Sequence, residues 1–202
     1  MPRLKIQFLA TAILLTALGL ASYTWITSRM SDQTGSGVAM VGGPFTLTDQ
    51  DGRVVTDRDF AGKYMLIFFG YTYCPDICPT ELQVMTAALD SLGAQSERIQ
   101  PIFISIDPAR DTPEVLKAYV SNFGPRLIGL TGTPDQIAAV ARNYRVYFAR
   151  AGNTQSASDY LMDHSSIIYL MGPDGRFLKH MTYTTDIETL ASQIKKGITV
   201  SP

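Results

Sequence analysis

Cysteine and histidine are scarce here: 202 residues hold two of each, Cys74 and Cys78, His164 and His180. An iron–sulfur cluster normally takes four cysteines. Structural zinc wants four ligands, and the chain offers no third cysteine, so both are set aside. Lysine and arginine form no cluster of the kind that marks a nucleic-acid footprint. The 17 basic and 18 acidic residues leave a formal net charge of −1. No internal repeat is visible. No cysteine closes the apolar run near the amino terminus, which excludes a lipoprotein anchor. With 46% hydrophobic residues, the chain can bury one good-sized core but not two full domains.

What is present begins with that apolar run. Arg3 and Lys5 lead into an uncharged stretch from Ile6 to Ser28, with Tyr23 and Trp25 near its end and Arg29 closing it. A helix needs about 20 mostly apolar residues to cross a bilayer core, so residues 1–29 predict a single-pass transmembrane anchor. The positive start places the amino terminus in the cytoplasm, and Tyr23 with Trp25 suits the far interface. The alternative is a signal peptide cut after Gly19-Leu20-Ala21, but its apolar region usually has about 7–15 residues and this one is longer. Residues 30–43, rich in Ser, Gly and Thr, read as a flexible linker, and 44–202 as one folded domain outside the cytoplasm. The start lacks the Arg- and Ser-rich composition of a mitochondrial transit peptide. Of the 17 basic residues three belong to the anchor, leaving 14 against all 18 acidic ones beyond it.

The domain alternates strands and helices. Phe45 to Thr48 and Val54 to Thr56 predict a hairpin around Gln50-Asp51-Gly52, followed by a helical turn over Asp57 to Phe60. Tyr64 to Phe69 is an apolar strand of the kind buried on both faces. Pro79 to Leu92 has helical apolar spacing at Leu82, Met85, Leu89 and Leu92. Strands follow at Ile99–Ile106 and Arg126–Leu130, and helices at Pro113–Phe123 and Thr133–Tyr144, the latter with Thr133 as N-cap and Pro134 in the first turn. Val146-Tyr147-Phe148 is a candidate edge strand, and Arg150 to Ser158 a polar loop. Ser165–Met171 and Arg176–Met181 flank the turn Gly172-Pro173-Asp174-Gly175, and a helix over Asp186–Lys196 closes the chain. The fold class is α/β, a central mixed sheet flanked by helices. A thiol pair between a central strand and its helix is the thioredoxin arrangement.

Cys74 and Cys78 stand four apart in Gly70-Tyr71-Thr72-Tyr73-Cys74-Pro75-Asp76-Ile77-Cys78-Pro79, where the usual redox motif spaces its cysteines by two residues. The pair can close a disulfide or clasp a soft metal, and an oxidising compartment favours the disulfide unless a reductant or metal intervenes. His164, just before a strand whose start faces the thiol turn, offers an imidazole. Two sulfurs and one nitrogen suit copper, as Cu(I) in a three-coordinate site or Cu(II) with a further oxygen ligand from Asp163 or water. His180 reads as an exposed strand residue, and Met85 and Met162 as core. Asp107-Pro108-Ala109-Arg110-Asp111-Thr112 is a loop at the rim of the site, with Thr112 an N-cap for the helix after it. Tyr71 and Tyr73 either shield the thiols or pack.

Three segments together, Gly70 to Pro79, Ser105 to Thr112, and Asp159 to His164 followed by Gly172 to Gly175, closely resemble the SCO/SenC family over Pro44 to about Lys196. The resemblance implies a membrane-tethered, thioredoxin-like copper metallochaperone rather than a turnover enzyme, facing the periplasm in bacteria or the intermembrane space in mitochondria, and the lack of a transit-peptide composition favours the bacterial inner membrane and periplasm. By its motifs Cys74, Cys78 and His164 are the copper ligands. Its partners would be the copper-bearing subunit of cytochrome c oxidase, other copper chaperones and thioredoxin-like reductants. The competing function is a thiol–disulfide oxidoreductase, with Cys74 and Cys78 as redox thiols reducing the oxidase subunit's cysteines before metal arrives. Peroxide reduction of the peroxiredoxin type fits less well, since Thr72 stands two residues before Cys74 rather than three.

Overall fold

The computed structural model describes residues 18–20, 22, 23, 41–152, 160–183 and 186–200. They fall into two compact units, 1–39 and 40–202. In the first, residues 18–20, 22 and 23 are helical. The expected anchor otherwise lies outside the described residues, as does most of the expected linker. Among the described residues no helix is long and apolar enough to cross a membrane.

The second unit runs β1 (Thr46–Asp49), β2 (Val54–Thr56), a 3-10 turn (Asp57–Phe60), β3 (Tyr64–Gly70), α1 (Ile77–Ser91), a 3-10 segment (Gly93–Arg98), β4 (Ile99–Ser105), α2 (Pro113–Val120), a 3-10 turn (Ser121–Phe123), β5 (Ile128–Thr131), α3 (Pro134–Tyr144), β6 (Phe148–Ala151), β7 (Leu161–His164), β8 (Ile167–Met171), β9 (Phe177–Thr182) and α4 (Ile187–Val200). It reaches back to Val41, which packs on the core, and to Gly42, whose N–H donates to the Asn143 carbonyl at 2.9 Å.

Seven strands form a mixed sheet in the order β2-β1-β5-β4-β3-β8-β9. The apolar run of β3 has all seven residues buried, because it lies mid-sheet, parallel to β4 and antiparallel to β8. Parallel pairing of β3 to β4 requires a crossover, which α1 supplies. Helix α1 packs against α4, α2 against β5 and α3 against β1. Caps set the helix starts: the Thr112 hydroxyl accepts from Val115 N–H, and Thr133 forms a capping box with Gln136.

Register decides what meets at one end of this sheet. Gly70 pairs with Ser105, so the segments after β3 and β4 emerge side by side. Strand β8 runs the other way, with Ile168 opposite Phe68, so the residues just before it emerge there too. The thiol turn, the 106–112 loop and His164 are thus gathered at a single sheet end.

Several boundaries differ from expectation. Helix α1 starts at Ile77, not Pro79, since first-turn N–H groups have no intrahelical partner and proline there sacrifices none. Val146 is no edge strand: its N–H donates to the Ala141 carbonyl at 2.8 Å and closes α3. The strand lies further on, at Phe148–Ala151, and takes in Arg150, which was expected in a loop. It pairs with Leu161–His164 in a two-stranded ribbon separate from the main sheet. His164 is therefore the end of β7 rather than the lead-in to β8.

Arg145, exposed, follows α3 with φ 58°, the only non-glycine with positive φ among the described residues. A side chain in the left-handed region costs about 1–2 kcal/mol, and glycine relieves it at some cost in unfolded-chain entropy. Arg145→Gly is expected to stabilise the domain by about 0.5–1 kcal/mol, read as a higher denaturant midpoint with unchanged slope.

Candidate metal centre

The turn between β3 and α1 is pinned from below. Thr72 donates to the Asp111 carboxylate through its N–H at 3.1 Å and its hydroxyl at 2.6 Å, and Ser105 donates to the same group at 2.5 Å. Asp111 is fully buried, and burial raises its pKa against the lowering effect of the Ser105 and Thr72 bonds. Cys74 N–H donates to the Tyr71 carbonyl at 3.2 Å, which turns the chain toward the helix.

Three intervening residues place Cys74 one turn ahead of Cys78, and the consequence is a helix cap made of sulfur. Asp76, at the cap position, makes no side-chain cap bond. The Cys78 N–H instead donates to Cys74 Sγ at 3.4 Å. A helix amino terminus favours negative charge, and thiols set there ionise readily. Cys74 is held down to about 3, first by the hydrogen bond donated from the Cys78 thiol, against burial, with the Cys78 and Asp76 N–H groups adding to it. Cys78 moves the opposite way, above the ordinary thiol range, because its proton is engaged by Cys74 and because it is buried. The pair thus favours the thiolate at Cys74 and the thiol at Cys78. Both are free thiols, Cys74 partly exposed and Cys78 fully buried.

Cys78 can sit this deep because residue 70 has no side chain. A Cβ on Gly70 would lie 2.9 Å from Cys78 Sγ, 2.9 Å from Phe103 Cε2 and 3.2 Å from Phe68 Cε1.

His164 comes from 86 residues further along the chain and brings Nε2 to 3.4 Å from Cys78 Sγ. Its Nδ1 lies 3.2 Å from the Ser165 carbonyl. A carbonyl only accepts, so Nδ1 carries the hydrogen in the neutral ring and the Nε2 lone pair faces the sulfurs. Two rings hold the imidazole edge-on: Tyr71 at 6.0 Å and Phe68 at 6.2 Å. The three donors are adjacent without being drawn onto one point. Among the described residues, no three His, Cys, Asp or Glu side chains have a ready metal-holding geometry.

Cys74 and His164 open into a cleft of about 300 Å³ lined also by Asp76, Ile77, Leu161 and Asp163, among others, with Cys78 buried behind it. Met162 also lines it, whereas Met85 is core. A cleft of similar size between α1 and residues 122–127 holds no thiol or imidazole, and Arg126 there is engaged by Ser96 and the Ile99 carbonyl. His180 is an exposed strand residue stacked on Phe177 and takes no part in the site. Tyr71 is buried beside His164, while Tyr73 is exposed.

The sequence did not reveal the role of Asp107, Arg110 and Tyr160. The Tyr160 hydroxyl donates to Asp107 at 2.6 Å. Arg110 donates to Asp107 and, at 2.9 Å, to the Tyr160 carbonyl. Its guanidinium lies 3.6 Å over the Tyr160 ring and 4.5 Å from that of Tyr73. The sequence put Asp107 and Arg110 in a loop at the rim of the site and Tyr160 in the motif before His164, but nothing in it joined the three.

Comparison with known proteins places this geometry in context. The SCO1/SenC family model matches residues 33–199. The SCO1 homolog 1, mitochondrial, of Arabidopsis thaliana is 44% identical over 164 residues, covering 81% of this chain and 48% of that protein. The chain spans about half the length of this and other curated mitochondrial relatives it matches. The structure of Bradyrhizobium japonicum ScoI with copper bound is similar at TM-score 0.70 and 47% identity, over 77% of this chain and 98% of that one. BsSco, described as having a disulfide switch and as a member of the Sco family of cytochrome c oxidase assembly proteins, is similar at TM-score 0.62 and 28% identity, over 81% and 96%.

Proposed function

Given that the chain belongs to the SCO1/SenC family, we propose that it is a copper metallochaperone that takes the metal through Cys74, Cys78 and His164 and delivers it during assembly of cytochrome c oxidase. Residues 1–29 tether it to the membrane, residues 30–43 link the tether to the domain, and the domain faces the bacterial periplasm. Its partners are the copper-bearing oxidase subunit, the chaperone that loads it, and a thioredoxin-like reductant that keeps its thiols open.

The observation that carries this reading is the 3.4 Å approach of His164 Nε2 to Cys78 Sγ. Thiolates favour Cu(I) and imidazole suits copper, and this donor set falls short of the four ligands of structural zinc. Asp163 lines the same cleft, and it or water would give Cu(II) a further oxygen ligand. The residues therefore fit the ion. Cys74 enters as a thiolate, while Cys78 gives up its proton on loading, so uptake releases protons.

Reduced wild-type protein is expected to bind about one copper per chain. Loss of an outer-sphere partner weakens a metal site about 10–100-fold, so removing a ligand in His164→Ala is expected to exceed about 100-fold in a competition titration while the thiols still form a disulfide. The reading fails if wild type takes up no copper in either oxidation state, or if His164→Ala binds as tightly.

One observation favours a second role. A partly exposed thiolate beside a buried thiol is also the pairing of a disulfide reductant. That role predicts that Cys74→Ser abolishes reduction of a dithiol target while His164→Ala preserves it.

A further inference from the structure

The strand that carries His164 belongs to the β6–β7 ribbon, which pairs with itself and not with the seven-stranded sheet. A two-stranded ribbon is at best marginally stable by itself, so its position depends on what binds it to the body. Tyr160 stands directly before β7, is buried, and is gripped at three points. Its carbonyl accepts from Arg110, its hydroxyl donates to Asp107, and its ring lies under the guanidinium. Arg150, on β6, stacks near the same ring at 4.1 Å. Arg110 in turn is braced by the Asp107 carboxylate and lies over Tyr73, in the thiol turn one residue before Cys74.

We propose that Arg110 is a positioning residue for the metal centre: with Asp107 and Tyr160 it clamps the β6–β7 ribbon to the thiol turn and thereby fixes His164 against the two sulfurs. Arg110 acts on the donors through its neighbours. Its influence passes through Tyr160 to β7, and through Tyr73 to the segment holding Cys74. The planar fork of arginine explains why this residue type is used: one edge bonds a carboxylate, another a carbonyl, and the flat face stacks on an aromatic ring. Lysine keeps the charge but cannot do all three. The inference rests on the copper-binding reading for its effect on affinity, though the clamp itself is a property of the metal-free protein.

Two measurements test it. In metal-free Arg110→Lys, amide hydrogen exchange at residues 148–151 and 161–164 is expected to quicken about tenfold or more, with β3 and β4 unchanged. Copper affinity is then compared in a double-mutant cycle. Arg110→Lys should lower it about tenfold beside His164, the low end of outer-sphere losses, and leave it unchanged in a His164→Ala background. Tyr160→Phe, which removes the hydroxyl bond to Asp107 and keeps the stack, should show the same pattern at smaller size, and it decides the matter if Arg110→Lys does not fold. Equal losses with and without His164, or no loss and no change in exchange, overturn the clamp. If wild type binds no copper the functional reading fails instead, and the exchange experiment alone judges the clamp.

Discussion

Alkylation of metal-free protein by iodoacetamide is expected to occur at Cys74 alone, at a rate that stays nearly flat from about pH 5 to about pH 8, where an ordinary thiol with pKa about 8.5 quickens by nearly three powers of ten. The sign follows from which species reacts. Thiolate is the nucleophile, and a group held at about 3 is already fully ionised at the lower end of that range. Raising the pH further adds no reactive form. A low pKa also weakens the nucleophile, with a Brønsted slope of about 0.4–0.5, so the reaction is steady rather than fast. Cys78 is spared because it is fully buried and its pKa is pushed upward by the bond it donates and by burial. Mass spectrometry of the labelled peptide assigns the site. A rate that climbs tenfold per pH unit, or label on Cys78, would contradict the division of roles between the sulfurs.

Phe68→Ala is expected to remove about 3–5 kcal/mol of stability and, for a domain of this size, to lower Tm by roughly 6–20 °C. Phe68 is fully buried on β3. Its ring stands 6.3 Å from Phe103 and 6.2 Å from His164, so truncation opens a cavity between the sheet core and the imidazole. The same change should therefore weaken copper binding as well as the fold. Phe60→Ala, in the 3-10 turn after β2 where Phe45 is the ring neighbour, should affect stability while leaving the metal untouched. A Phe68→Ala protein melting within about 3 °C of wild type would show that the cavity collapses.

How far the sequence could be read depended on the range of the interaction involved. Strand β3 was legible because it is a continuous apolar run and β4 because it is nearly one, broken by Gln100, and α3 because Thr133 and Pro134 mark its start locally. The thiol pair was legible from its spacing, and His164 from its motif. The direction in which each thiol shifts was not, since that depends on the bond donated from the Cys78 thiol and on burial, neither of which is written in five consecutive residues. The β6–β7 ribbon was missed for a similar reason. Val146-Tyr147-Phe148 carries the stronger apolar signal, yet Val146 is used by α3. Phe148–Ala151 and Leu161–His164 are four residues each, too short for their alternation to stand out, and they recognise each other only across the intervening segment. Arg110 resembled a solvated loop charge because a stack on a ring fifty residues away leaves no local trace.

The missing methyl group at position 70 reaches further than its own backbone. It permits the first turn of α1 to settle flush on the last residue of β3, sulfur against main chain. Any larger residue there would act as a wedge between the strand and the buried donor. An empty spot on a strand, as much as any side chain, thus sets the aperture of this grip.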